Sequence, residues 1–216
     1  MERERTTNLY DCAIVADGEF PTTKQPLELL VKVKHIIACD GAVQNLHKHG
    51  FKPDSIVGDM DSIPTELRNL YADRLLAITE QDTNDLTKAA IYARESRHKS
   101  VLIIGATGKR EDHTLGNISL LIQYAEWFDE IEMISDYGRF TPLRRSATLT
   151  STPGQQVSIF VPDNHTRITT KGLKWDVTGR VFTNWWQGTL NEASGEEFSV
   201  IFSEPEMPLI IYRTLM

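Results

Sequence analysis

Along the first two-thirds of the chain, short unbroken apolar runs alternate with longer stretches in which apolar residues recur every three or four positions. Six of the short runs read as strands: Cys12 to Asp17, His35 to Asp40, Ser55 to Asp59, Arg74 to Thr79, Ser100 to Gly105 and Glu130 to Ser135. They lack the polar-apolar alternation of a half-exposed strand, so both faces of their sheet are expected to be covered. Between them, "TNDLTKAAIYARES" sets Leu86, Ala89, Ala90 and Ala93 on one helical face, and "HTLGNISLLIQYAEWF" gives a second helix. The pattern predicts an α/β fold with a mostly parallel sheet of about six strands flanked by helices. After about Pro142 the text changes to Thr, Val, Ile and Gly with frequent turn residues, and "QQVSIFV", "TRITT", "EEFSVIF" and "PLIIY" predict a C-terminal all-β sandwich. The expected domains are residues 1–143 and 144–216.

In an open parallel sheet, ligands collect outside the carboxyl ends of the strands. Polar residues gather there. Asp40 and Gly41 follow the second run, Asp59 and Asp61 the third, and "ITEQDTNDLTKA" the fourth, with Asp82, Asp85 and Lys88 spaced to share the first turns of one helix. The fifth run opens into "GATGKREDHTLGN", which offers Thr107, Lys109, Arg110, Asp112 and His113 around two glycines. Carboxylates brought together raise one another's pKa unless a cation neutralises them. Magnesium suits such a set, because it prefers hard oxygen ligands and bridges carboxylates to phosphates. Lys88 and Arg110 add positive charge, and the whole suits metal-assisted phosphoryl-type transfer.

Taken singly, each feature has a plainer explanation. Asp-x-Asp in a loop is commonly a turn element, Asp82 or Asp85 could cap a helix, and Asp112 could open the next one. Coincidence along one sheet edge favours a site. "GATGKRED" is not a Walker loop, since two residues separate its glycines and Arg110 follows Lys109. The first run ends in "VADGEFP", which lacks the dinucleotide G-x-G-x-x-G. Trp185 and Trp186, adjacent in a presumed strand, are expected to divide between core and surface, and Trp175 is available for stacking.

Composition narrows the partners. The 216 residues carry a net charge of −7 with no long basic block, which argues against a nucleic-acid backbone. Two cysteines, Cys12 and Cys39, are too few for a disulfide scaffold or a four-thiolate zinc site. The charged start "MERERTTNLY" lacks an apolar signal core and no run is long enough to span a bilayer, so a cytoplasmic protein without membrane contact is expected.

The ordered blocks "CDGAVQNL", "PDSIVGDMDSI", "QDTNDLTKA", "GATGKREDHTLGN", "KGLKW" and "GTLNEASG" resemble those of the thiamine pyrophosphokinase (thiamine diphosphokinase) family. The resemblance implies an α/β ATP-binding domain, a β-sandwich that binds thiamine and dimerises, and a homodimer with its active site at the subunit interface. It implies that Mg²⁺ is required and that thiamine and ATP give thiamine diphosphate and AMP. By the same resemblance Asp59, Asp61 and Asp85 are metal and substrate carboxylates. Lys88, Arg110 and Asp112 join them in catalysis, with Asp59 or Asp61 as general base. Asp40, Gly41, Gln81, Asp82, Thr107, Arg110, Asp112 and His113 handle ATP, and Asp85, Trp175, Thr189 and Asn191 hold thiamine. The chain departs from the pattern at Asn84, at Lys109, where glycine is common, at Gly116, where alanine is usual, and at Leu190, where a serine usually precedes the Asn. Two other classes stay open. One is a metal-dependent nucleotide-sugar glycosyltransferase using the Asp-x-Asp pair, which leaves Asp85, Lys88 and "GKREDH" without a role. The other is a binding module without turnover.

Overall fold

The computed structural model describes residues 10–202 and 208–216, so the charged start at residues 1–9 lies outside the described residues. Contacts divide the chain into two compact units, one ending at Asp136 and the other beginning at Tyr137.

In the first unit the elements run β1 (Cys12–Val15), α1 (Lys24–Lys32), β2 (His35–Cys39), α2 (Ala42–Lys48), β3 (Ser55–Gly58), α3 (Thr65–Leu70), β4 (Leu75–Ala77), α4 (Asp85–Glu95), β5 (Ser100–Ile104), α5 (Glu111–Tyr124) and β6 (Glu130–Ile134). The strands stand in the order β6-β5-β1-β2-β3-β4. Every pairing among them is parallel. All of β1 and nearly all of β5 are buried, which is why these runs show no alternation. Each fully buried Ile, Leu or Val among them contributes roughly 1.5–3 kcal/mol relative to exposure. The chain walks outward from β1 to β4 and then returns to the other side of β1 with β5, so the strand order reverses between β1 and β5. Such a reversal opens a crevice where the two departing loops separate.

The helix expected from "TNDLTKAAIYARES", α4, buries Leu86, Ala89, Ala90 and Ala93 as expected, and it packs against β2 and β3. Its start differs from expectation. Asn84 is the N-cap, its side chain accepting from the Thr87 amide at 2.8 Å, so the helix begins at Asp85 and Asp82 precedes it. Asn caps a helix as well as Asp does and leaves the Asp85 carboxylate free for another role.

In the second unit, β7 (Gly138–Leu143), β8 (Ala147–Thr150), β9 (Gln156–Phe160), β10 (Arg167–Lys171), β11 (Arg180–Val181), β12 (Asn191–Glu192), β13 (Glu197–Phe202) and β14 (Leu209–Thr214) form antiparallel pairs. They make two four-stranded layers, β12-β9-β14-β7 and β11-β10-β13-β8. Alternate residues such as Val157 and Ile159 of β9, Ile168 of β10 and Phe198 and Val200 of β13 point into one shared core, as in a sandwich. The division falls at Asp136/Tyr137, not Leu143/Arg144, because "GRFTPL" is a strand of this unit, paired along its whole length with β14. Trp185 and Trp186 do not lie on a strand. They sit in a 3-10 turn closed by a reciprocal Asn184–Gln187 capping box, and both are exposed.

Both cysteines are buried free thiols. No helix among the described residues is long and apolar enough to cross a membrane.

Candidate active site

An acidic wall forms where β2 and β3 end. Asp40, Asp59 and Asp61 each place a carboxylate oxygen within 4.8 Å of the others. Local backbone produces this. β3 ends at Gly58, where a methyl group would stand 2.8 Å from Asp40 Cβ, so only glycine lets the Asp40 side chain lie across the strand end. Met60 then takes a left-handed conformation (φ 71°) and buries its side chain, which turns the flanking Asp59 and Asp61 outward. A non-glycine residue in that region costs about 1–2 kcal/mol, and such outliers concentrate at functional sites. Arg68 donates to the Met60 carbonyl and helps hold the turn.

The carboxylates differ in their surroundings. Asp40 is 3% exposed. Its Oδ2 accepts from the Ser62 amide at 3.1 Å, while Oδ1 is buried and has no hydrogen-bond partner among the described residues. Burial pushes the Asp40 carboxyl up to about 6, the Ser62 amide opposes this, and the charges of Asp85 and Asp59 add to it. Asp59 accepts from the Asp61 amide and from Gln81, which hold it below the usual carboxylate value. Burial raises the Asp85 carboxyl, offset by Lys88, whose ammonium lies 3.4 Å away and is itself only 3% exposed. A buried acceptor oxygen without a donor, beside two further carboxylates, suits a hard divalent cation.

Across the switch point, the loops after β1 and β5 form the other side of a cavity of about 410 Å³. They are stitched together. The Gly18 amide donates to the Gly105 carbonyl at 2.6 Å and the Glu19 amide to the Thr107 carbonyl at 2.8 Å. A methyl group at Gly18 would meet the Thr107 carbonyl at 2.5 Å, so the loops approach this closely only with glycine there. Asp40, Gly41, Asp85, Arg110 and His113 line the cavity. Arg110 grips Asp112 through two contacts, Nε to Oδ1 at 3.1 Å and an NH2 nitrogen to Oδ2 at 2.5 Å, and this pairing holds the Asp112 carboxyl low.

A second cavity, of about 320 Å³, lies within the C-terminal unit and brings together Trp175, Thr189 and Asn191. Asn191 brackets the tryptophan by accepting from its amide at 3.2 Å and donating to its carbonyl at 2.9 Å. The Thr189 hydroxyl donates to the Trp186 carbonyl at 2.8 Å. Lys174 lies 4.8 Å from the Trp175 ring centroid, so this face already attracts a cation. Leu190 is 76% exposed and left-handed (φ 60°) at the cavity rim.

Several expected residues stand elsewhere. Asp85 belongs to the first cavity and is not one of the three carboxylates within mutual reach, a place Asp40 takes. Asp82 is exposed in a turn whose amides donate to Glu80, and Thr107 takes part through its carbonyl. Asp17, Ser62 and Asn117 line the first cavity without having been singled out, because contacts between loops distant in sequence carry no local signal, and Asn84, noted only as a departure from the family pattern, lines it too. The one available pointer was Asp17 at the end of the first strand run, by the same strand-end rule.

Two family profiles cover the two units: "Thiamin pyrophosphokinase, catalytic domain" matches residues 27–134, and "Thiamin pyrophosphokinase, substrate-binding domain" matches residues 138–207. The chain belongs to the thiamin pyrophosphokinase family. Among relatives, thiamine pyrophosphokinase 2 of Arabidopsis thaliana is 32% identical over 149 residues, covering 61% of this chain and 54% of the relative. Thiamine pyrophosphokinase of Bacillus subtilis (strain 168) is 33% identical over 102 residues, covering 45% of this chain and 48% of the relative. The chain thus spans about half the length of the curated relatives it matches. In fold it matches the crystal structure of the Bacillus subtilis family member with a TM-score of 0.79 at 22% identity, covering 94% of this chain and 98% of that one. Thiamin pyrophosphokinase from Candida albicans matches with a TM-score of 0.81 at 16% identity, covering 97% and 91%. At these identities the likeness is one of fold. Neither family match supports the glycosyltransferase alternative.

Proposed function

We propose that the protein is a thiamine diphosphokinase, transferring a pyrophosphoryl group from ATP to the hydroxyl of thiamine and releasing AMP. The observation that carries this beyond family membership is the orphaned Asp40 Oδ1, buried in a group with Asp59 and Asp61 beside a cavity at the switch point of the sheet. That group fits Mg²⁺, with Asp40, Asp59 and Asp61 as the residues that would hold it, which revises the expected set by exchanging Asp85 for Asp40. When bound, the ion offsets negative charge on the phosphates.

The remaining chemistry belongs to the chain's own side chains. The 410 Å³ cavity takes ATP. Arg110 and Lys88 offset charge on the transferring group, Lys88 from its buried place behind Asp85. The thiamine hydroxyl oxygen bonds to the β-phosphorus, the bond from that phosphorus to the oxygen bridging the α-phosphate breaks, and AMP leaves with the electron pair. The hydroxyl proton passes to a carboxylate. Asp85 suits this better than Asp59 or Asp61, since it lines the cavity and burial strengthens its hold on a proton. Gln81 orients Asp59, and Arg110 pairs with Asp112 in the first turn of α5. Thiamine, a cation with two aromatic rings, fits the cavity of the second unit, where Trp175 offers a stacking face and Thr189 and Asn191 offer polar edges. A homodimer with the active site at the subunit interface, and a cytoplasmic location, complete the reading.

The test is AMP release from ATP with Mg²⁺, with and without thiamine. Wild-type protein releases AMP only when thiamine is present, and Asp61→Asn and Asp85→Asn abolish release while keeping the folded circular-dichroism spectrum. Wild-type protein releasing no AMP with both substrates would sink the assignment.

A further inference from the structure

Lys109 lines the first cavity but its ammonium is turned onto the neighbouring β1 loop, donating to the Asp17 carbonyl at 2.6 Å and to Asp17 Oδ1 at 3.1 Å. Its backbone is left-handed (φ 57°), a conformation that favours glycine, so the side chain stands where none is needed to make the turn. We propose that Lys109 is a polyphosphate contact parked on Asp17, and that the Asp17 carboxylate competes with the phosphates of ATP for its ammonium. This rests on the cavity being the ATP site.

A fastening role is already filled. The two loops are joined by the Gly18–Gly105 and Glu19–Thr107 backbone bonds, neither of which involves the Lys109 or Asp17 side chain. The pair is also weakly held: the two side chains are 54% and 49% exposed, so solvent screens their attraction. Arg110, the neighbouring cation on the same loop, is engaged by both oxygens of Asp112. Lysine is the residue type suited to exchange, a point charge on a flexible four-carbon stem that can leave one oxygen for another. A triphosphate offers it several charged oxygens against the single carboxylate of Asp17.

Calorimetric titration of the full chain with ATP and with AMP, in Mg²⁺ and without thiamine, tests this. Lys109→Met is expected to weaken ATP about tenfold, the loss of one charge-assisted contact, and AMP less than twofold. Lys109→Arg recovers most of the loss. Asp17→Asn is expected to tighten ATP, the opposite sign from Lys109→Met, although both break the pair. The proposal is overturned if Lys109→Met binds ATP as wild type does, if it loses ATP and AMP equally, or if Asp17→Asn weakens ATP as Lys109→Met does. Wild-type protein that binds no ATP would instead remove the underlying assignment of the cavity.

Discussion

Gly58→Ala is the smallest change that should disable the acidic wall. The added methyl would lie 2.8 Å from Asp40 Cβ and 3.4 Å from Asp40 Cα, against about 3.5–4.0 Å for a comfortable carbon contact. Asp40 Cγ, also at 3.4 Å, could rotate away, but Cβ and Cα are the root of the side chain, so rotation does not relieve the closest contact and the Asp40 backbone or the end of β3 must shift by about 1 Å. Overpacking of this kind costs about 1–3 kcal/mol, and a displacement of that size at a reacting centre costs about a hundredfold in rate. The expected result is a melting temperature lowered by a few degrees, kcat/KM for AMP release reduced about a hundredfold, and a higher Mg²⁺ concentration at half-maximal rate. Gly58→Ala with kcat/KM within twofold of wild type and an unchanged Mg²⁺ titration would refute the claim that Asp40 position governs the site.

Gly116 in α5 is the contrasting case, since a methyl there meets nothing within 4 Å. Gly116→Ala should raise stability in urea by about 0.5–1 kcal/mol with activity unchanged. Asn191→Ala removes both hydrogen bonds that hold the Trp175 backbone, and should raise KM for thiamine about tenfold while leaving KM for ATP within twofold. Asp136 accepts from the amides and hydroxyls of Thr22 and Thr23, and although partial burial pushes its carboxyl up, these bonds outweigh it and hold the group below its ordinary value. The folded protein therefore binds a proton there less readily than the unfolded chain. The contribution is complete above the unfolded value near about 4 and disappears as pH falls through the lower folded value. Melting curves of wild type and Asp136→Asn should differ at pH 6 and converge at the acid end of that range. A gap that persists undiminished there would contradict the assignment.

How much of this was written in the chain depends on whether the cause is local. The six parallel strands were legible because each is a short apolar run, fully or mostly buried in β1, β3 and β5 but not in the edge strand β4, and the strand-end rule then pointed to Asp40, Asp59, Asp61 and Asp85. β7 was hidden by Pro142, which reads as a boundary yet sits within a strand paired to β14. The two tryptophans were misplaced because the Asn184–Gln187 capping box makes a 3-10 turn that apolar pattern does not reveal. The proposed exchange of Asp85 for Asp40 among the residues that would hold a metal turns on Gly58, whose lack of a side chain admits Asp40 from a strand away. The reach of Lys109 to Asp17 spans most of the unit in sequence and only a loop junction in space.

The central claim is transfer of an intact pyrophosphoryl group, and a ³¹P NMR time course of ATP, thiamine and Mg²⁺ with the wild-type protein tests it directly. The account predicts that the triphosphate signals give way to those of AMP and thiamine diphosphate in equal amounts, with no ADP, and that they persist unchanged when thiamine is left out. Appearance of ADP with inorganic phosphate, or ATP loss at the same rate without thiamine, would contradict it.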